Sequence, residues 1–358
     1  MRKVPSRLSP RRVAGGFVTD ATKLAPPGDS PGAKTKILIL WFLLACSITP
    51  LQSAEPPAAD MILVIGAAGT DEYGDMFTAW SSRWQAAAER GRVEATIIGR
   101  TIAGDVTDRD RLQDLLKEAA TQTERPLWLV LIGHGTFDRK TARFNLRGPD
   151  VSADELSEWL QPLSRPVAVI NCSASSAPFL AALSSENRVV ISATKTGGEE
   201  NFTRFGEYLA QSIADPAADL DKDDQTSLWE AYLAASRRTA EFYAGDGRLQ
   251  TEHALLDDNG DEQGTRADLF HGLQLQDGIA AANPLDGAVA HQWHLVPSDR
   301  DAKLPPEVRQ RRDELELRII TLRNQKSQMD ADDYDRQLET WLVELARLNR
   351  TVSSPVEP

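Results

Sequence analysis

Two side chains in this 358-residue sequence have the chemistry of a nucleophile and its base, and each stands where an apolar run stops. Cys172 ends Val167-Ala168-Val169-Ile170-Asn171-Cys172, and His134 follows Leu127-Trp128-Leu129-Val130-Leu131-Ile132-Gly133. A thiol attacks a peptide carbonyl as the thiolate, so it needs a base or a positive neighbour. An imidazole within reach takes that proton and later returns it to the leaving amine. Gly135, next to the histidine, leaves space for backbone N–H groups to serve as an oxyanion hole. Taken singly, a Cys at a strand end is usually a small buried hydrophobe and a lone His a satisfied core residue. The pairing at successive strand ends is what points to chemistry. His253, in Thr251-Glu252-His253-Ala254, is expected to be structural, and His271 and His291 stand in no motif.

The elements that must position this pair can be read from hydrophobic patterning. Short apolar runs at 61–66, 93–98, 127–132, 167–170 and 188–192 have the texture of buried parallel strands. Helical spacing fills 75–90, 108–120 and 202–214, and Ser152 with Glu155 forms a capping-box signature ahead of Leu156, Trp159 and Leu160. Strands alternating with helices predict an α/β sandwich with a mainly parallel sheet. Sites in open parallel sheets lie beyond the carboxyl ends of the strands. His134 and Cys172, each directly after a strand, therefore fall on one edge. Gly66-Ala67-Ala68-Gly69 is only a fragment of a dinucleotide fingerprint, and that reading is rejected.

An apolar strand ending in His-Gly, then a second ending in a small or polar residue and Cys, resembles the caspase–legumain peptidases over roughly residues 61–270. Val189-Val190-Ile191-Ser192-Ala193-Thr194 looks like the segment after the nucleophile in legumains. The resemblance implies a caspase-like three-layer sandwich over 61–295 and an endopeptidase working through an acyl-enzyme, with Cys172 as nucleophile, His134 as base and no cofactor for the chemistry. Peptides or proteins would be its substrates. The sequence departs from the pattern at Asn171 and at Ser173-Ala174-Ser175-Ser176. Gly69-Thr70-Asp71-Glu72-Tyr73-Gly74 also lacks the Asn that orients the histidine in legumains, so a third catalytic member is not assignable. These departures favour an alternative, a caspase-fold scaffold that binds calcium or a partner without cleaving. A transamidase-like acyl transferase is a further alternative.

Residues 219–230 form a twelve-residue loop similar to an EF-hand. Asp219, Asp221, Asp223 and Ser227 place oxygens at positions 1, 3, 5 and 9, Gln225 offers its backbone carbonyl, and Glu230 closes the loop at position 12. Such oxygen ligands suit Ca²⁺. Asp224 stands where the sharp turn normally has Gly, and a solvated acidic turn capping the next helix is the competing reading. Asp257-Asp258-Asn259-Gly260-Asp261 reads as a second acidic turn, expected on the surface.

The N-terminal 1–54 reads as a targeting segment. A basic stretch with Arg2, Lys3, Arg7, Arg11 and Arg12 precedes the apolar run Ile37 to Cys46, the pattern of a secretory signal. The run is short for a bilayer-spanning helix. Export follows, to the periplasm or beyond, with processing near Ala54, lipid attachment at Cys46 or an uncleaved anchor as its variants. Cys172 would then be the only thiol of the exported part, and a lone thiol in an oxidising compartment is a liability unless buried or used. Beyond Pro305-Pro306, helical spacing through Leu322 and again through Leu338 to Leu348 predicts a coiled-coil-like hairpin over 305–350, with a loose tail over 351–358. The hairpin is a candidate surface for a protein partner. A formal net charge of -13 argues against nucleic acid as a partner.

Overall fold

The computed structural model describes residues 58–101, 106–123, 125–276, 286–326 and 329–353. The proposed targeting segment, with Cys46 and Ala54, lies outside the described residues. Strand β1 (Ala59–Ile65) is buried along nearly its whole length and pairs in parallel with both β2 (Val93–Ile98) and β3 (Leu127–Ile132). Strands β7 (Val167–Asn171) and β8 (Arg188–Ser192) extend the sheet on the far side of β3. The short β9 (Leu255–Asp257) closes it in the antiparallel sense, giving the order β2-β1-β3-β7-β8-β9.

Strand alternation divides the core into two layers. Trp128, Val130 and Ile132 of β3 and Ala168 and Ile170 of β7 share one apolar layer with α1 (Asp71–Arg90), α5 (Phe205–Ser212) and α6 (Leu228–Gly245). Leu127, Leu129, Leu131, Val167 and Val169 face α2 (Asp108–Ala119), α3 (Ala153–Leu160) and α4 (Ala177–Leu183) on the other side. The result is the expected three-layer sandwich. Helix α1 starts four residues before the predicted 75, because the Thr70 hydroxyl accepts from Tyr73 N and caps it. Ser152 and Glu155 form the full capping box of α3.

Pattern reading does not reach the small antiparallel sheet of β4 (Gly135–Phe137), β5 (Ala142–Phe144) and β6 (Val151–Ser152), nor β9. Strands of two or three residues are too short to show a period. A two-stranded ribbon, β10 (Phe270–His271) with β11 (Gln274–Leu275), follows β9. The hairpin is α7 (Pro306–Asn324) with α8 (Ala331–Ser353). Residues 351–353, expected in the loose tail, continue α8. Leu315, Ile319 and Leu322 of α7 are buried, and Gln292 Nε2 donates to Asp313 O, tying the hairpin to the main layers. No helix among the described residues is long and apolar enough to cross a membrane.

Candidate functional site

His134 and Cys172 leave neighbouring parallel strands at the same carboxyl edge, and parity puts them on the same face. His134 follows Trp128, Val130 and Ile132 in phase, while Cys172 follows Ala168 and Ile170 and belongs to their apolar layer. The half-buried His134 ring lies among Tyr73 and Phe77 of α1 and Phe202, at centroid distances of 4.7, 5.3 and 5.8 Å. Its Nε2 stands 3.1 Å from Ala68 O. A carbonyl oxygen can only accept, so Nε2 is the donor, and in the neutral ring the lone pair then lies on Nδ1. The group that orients the imidazole is thus main chain, the Ala68 carbonyl. No residue type marks a carbonyl, so the sequence had no signal for it.

Cys172 is fully buried. A Cβ on Gly206, in the first turn of α5, would lie 2.6 Å from Cys172 Cβ, 3.1 Å from its Sγ and 2.9 Å from the Trp80 ring, so helix backbone rests directly on the thiol. Burial first, and then the carboxylate of Glu252, push the Cys172 thiol up to about 12. Glu252 is itself buried. It accepts from Arg204 N, Phe205 N and Tyr243 Oη, and burial holds its carboxyl above the ordinary range despite those donors. Among the described residues no hydrogen bond joins Cys172 Sγ to His134.

A strap formed by residues 195–204, between β8 and α5, explains the closure. Thr203 Oγ1 donates to Cys172 O at 2.6 Å, and Glu199 O accepts from Ser175 N. Phe202 packs edge-on against the His134 ring and at a tilt against Trp80. A Cβ on Gly197 would run into the Phe137 ring at 2.6 Å, so the strap also sits tightly on β4. Gly135, expected at the oxyanion hole, packs on the turn after Cys172: a Cβ there would lie 2.2 Å from Ala174 O. Ser175 in that turn has φ +53 and a buried hydroxyl without a hydrogen-bond partner.

His253 is oriented rather than idle. Its Nδ1 lies 2.6 Å from Glu199 Oε1, and its backbone N donates to Glu199 Oε2, which fixes the strap to the segment before β9.

The acidic loop is assembled in part. Asp219, Asp221 and Asp223 each bring a carboxylate oxygen within 4.8 Å of the others. Asp224 takes the glycine-like φ of +70, and Lys222 a φ of +64. Glu230 does not join them: Oε2 accepts from Ser227 N and Oγ in the capping box of α6, and Oε1 from Leu220 N. Ser227 Oγ is held in the same box, and the Gln225 side chain bonds Asp223 and Ser298 N. The imidazole of His291 stands 3.3 Å from Asp221 Oδ2 and lowers that acid, whereas burial pushes Asp223 up to about 6.

No family model matches the chain, and no curated protein matches it. Among solved structures it is similar to the Drosophila initiator caspase Dronc, at 16% identity and TM-score 0.40, over 59% of this chain and 83% of the caspase. A Geobacter sulfurreducens protein is similar at 15% identity and TM-score 0.36, over 59% of this chain and 98% of its own. Raptor of Chaetomium thermophilum is similar at 8% identity and TM-score 0.33, over 75% of this chain and 34% of Raptor.

Proposed function

We propose that the chain is a cysteine endopeptidase held in a closed state, with Cys172 as nucleophile and His134 as base. One observation carries this reading: an imidazole with its Nε2 proton fixed by Ala68 O stands at the same sheet edge, and on the same face, as a thiol on the adjacent strand. In the open state Nδ1 of His134 takes the Cys172 proton, and the thiolate adds to the peptide carbonyl. The C–N bond then breaks as the imidazolium protonates the amine, and water hydrolyses the resulting thioester. The strap at 195–204 must move for this to happen, because a thiol with its proton held to about 12 is not a nucleophile at neutral pH.

A second reading, a scaffold of the same fold that does not cleave, is favoured by the complete burial of Cys172. Under either reading the Asp219–Asp221–Asp223 cluster is proposed to hold a divalent cation such as Ca²⁺, and the hairpin to present a surface to a protein partner. Export of the mature protein is part of the same proposal.

The deciding experiment is labelling by peptide acyloxymethyl ketones with Asn, Asp or Arg at P1. Wild type, Cys172→Ala, His134→Ala and the strap variant Phe202→Ala are compared. A ring contact is worth about 1 kcal/mol, so Phe202→Ala is expected to speed Cys172 labelling by about fivefold or more. P1-dependent labelling of Cys172 that needs His134 supports the peptidase. A folded Phe202→Ala protein whose Cys172 is reached by iodoacetamide but ignored by every peptide probe supports the scaffold.

A further inference from the structure

The acidic turn that begins at the end of β9 lies at the surface only in part: Asn259, Gly260 and Asp261 are half-exposed, while its first two residues are buried. Asp257 has no exposed surface, and Asp258 is nearly as deep. Asp258 is fully engaged, accepting from Gly287 N, Val289 N and Ala290 N. Its neighbour Asp286 accepts from Asp258 N and Thr265 Oγ1. Asp257 is different. Its Oδ1 accepts from Gly260 N inside the turn, while Oδ2 is buried and meets no donor in hydrogen-bonding geometry. The Ser184 hydroxyl and Glu262 N lie close enough to ease the charge without reaching Oδ2 in hydrogen-bonding geometry, Glu262 N donating instead to Ser184 Oγ, and the carboxylate of Asp261 adds to the negative potential. A buried carboxylate oxygen with no partner is costly unless a cation or a proton takes it up.

The backbone around that oxygen repeats the register of the 219–230 loop. There, Asp219 Oδ1 accepts from Lys222 N and Asp223 Oδ1 from Gln225 N, with positive φ at Lys222 and Asp224. Here, Asp257 Oδ1 accepts from Gly260 N and Asp261 Oδ1 from Gln263 N, with positive φ at Gly260 (+78) and Glu262 (+65). Asn259 takes the place of Asp221, its Oδ1 accepting from Asp261 N. Two stretches 38 positions apart thus carry one ligand spacing, and the second holds the unpartnered oxygen.

We propose that residues 257–263 form a second site for a hard divalent cation of the Ca²⁺ type, with Asp257 Oδ2 as its anchor. Asn259 and Asp261 supply further oxygens, and the Gln263 carbonyl falls at the backbone position of such loops. Asp268, at the twelfth position, is exposed and paired with Arg266, so water completes the shell. The cation would pin the closing strand β9 to the turn after α4, since a Cβ on Gly260 would lie 3.1 Å from the Ser185 backbone.

The test is calorimetric titration of the chelator-treated full chain with Ca²⁺, up to about 1 mM, the range of weak loops of this kind. Asp257→Asn is expected to bind one equivalent fewer than wild type, and Asp219→Asn to keep that equivalent. This holds whether or not the first loop binds. Asp261→Asn, at a half-exposed position, is expected to weaken the same equivalent at least tenfold and serves if Asp257→Asn fails to fold. An unchanged stoichiometry in a folded Asp257→Asn protein overturns the proposal, as does an unchanged affinity in Asp261→Asn or a wild type that takes up no Ca²⁺.

Discussion

At the scale of single residues, Cys172 carries a pH signature that reports its burial. The folded chain holds the thiol proton to about 12, whereas the reference thiol releases it near 9.0. The folded state therefore binds that proton more tightly. The contribution is complete below pH 9 and is lost as pH rises towards 12, by about 1.4 kcal/mol per pH unit. Urea melts of wild type against Cys172→Ala across this window should diverge with that slope, and equal slopes would mean that solvent reaches the thiol. Gly206 is the other half of the contact. Gly206→Ala places a methyl 2.6 Å from Cys172 Cβ and is expected to destabilise by about 1–3 kcal/mol in the same melts.

Among the elements, the amino edge of the sheet is held by a buried ion. Arg165 has no exposed surface, and it donates to Asp60 on β1 and to the Arg125 and Pro126 carbonyls just before β3. Arg165→Ala takes the donor from the Arg125 and Pro126 carbonyls and leaves Asp60 to Arg125, and should cost about 2–4 kcal/mol by denaturant melts, while Arg165→Met, which removes the same donors, should recover only the part due to packing. The five long strands were legible because each is five to seven residues dominated by apolar side chains, broken most in β2 by Glu94 and Thr96, and the ends of those runs located His134 and Cys172. The strap was not legible: Lys195 to Arg204 has no period, and its grip depends on a Thr203 hydroxyl and a Phe202 ring whose partners are distant in sequence. The burial of Asp257 was hidden for a related reason. Its acidic neighbours read as solvated, yet the position is register-paired with Val190 on β8.

Across the whole molecule, the hairpin is attached through ion pairs as well as apolar packing, and Arg312 is central to the ion pairs. It is largely buried between Asp301, before the hairpin, and Asp313 on α7 itself. Arg312→Ala should leave Asp301 with only the longer ion pair to Arg309, cost about 2–3 kcal/mol, and raise amide exchange in α7 and α8 before the sheet responds; exchange that rises everywhere at once would show the hairpin to be integral to one cooperative unit. The sheet order has a different consequence. The first described strand, β1, is not an edge but lies between β2 and β3, with six register pairs on each side. A pull applied ahead of Ala59 would load both ladders in shear together rather than peel one strand away. A tether there would thus draw on two ladders at once, and force transmitted through it would reach β3, the strand that leads to His134, before it reached β9.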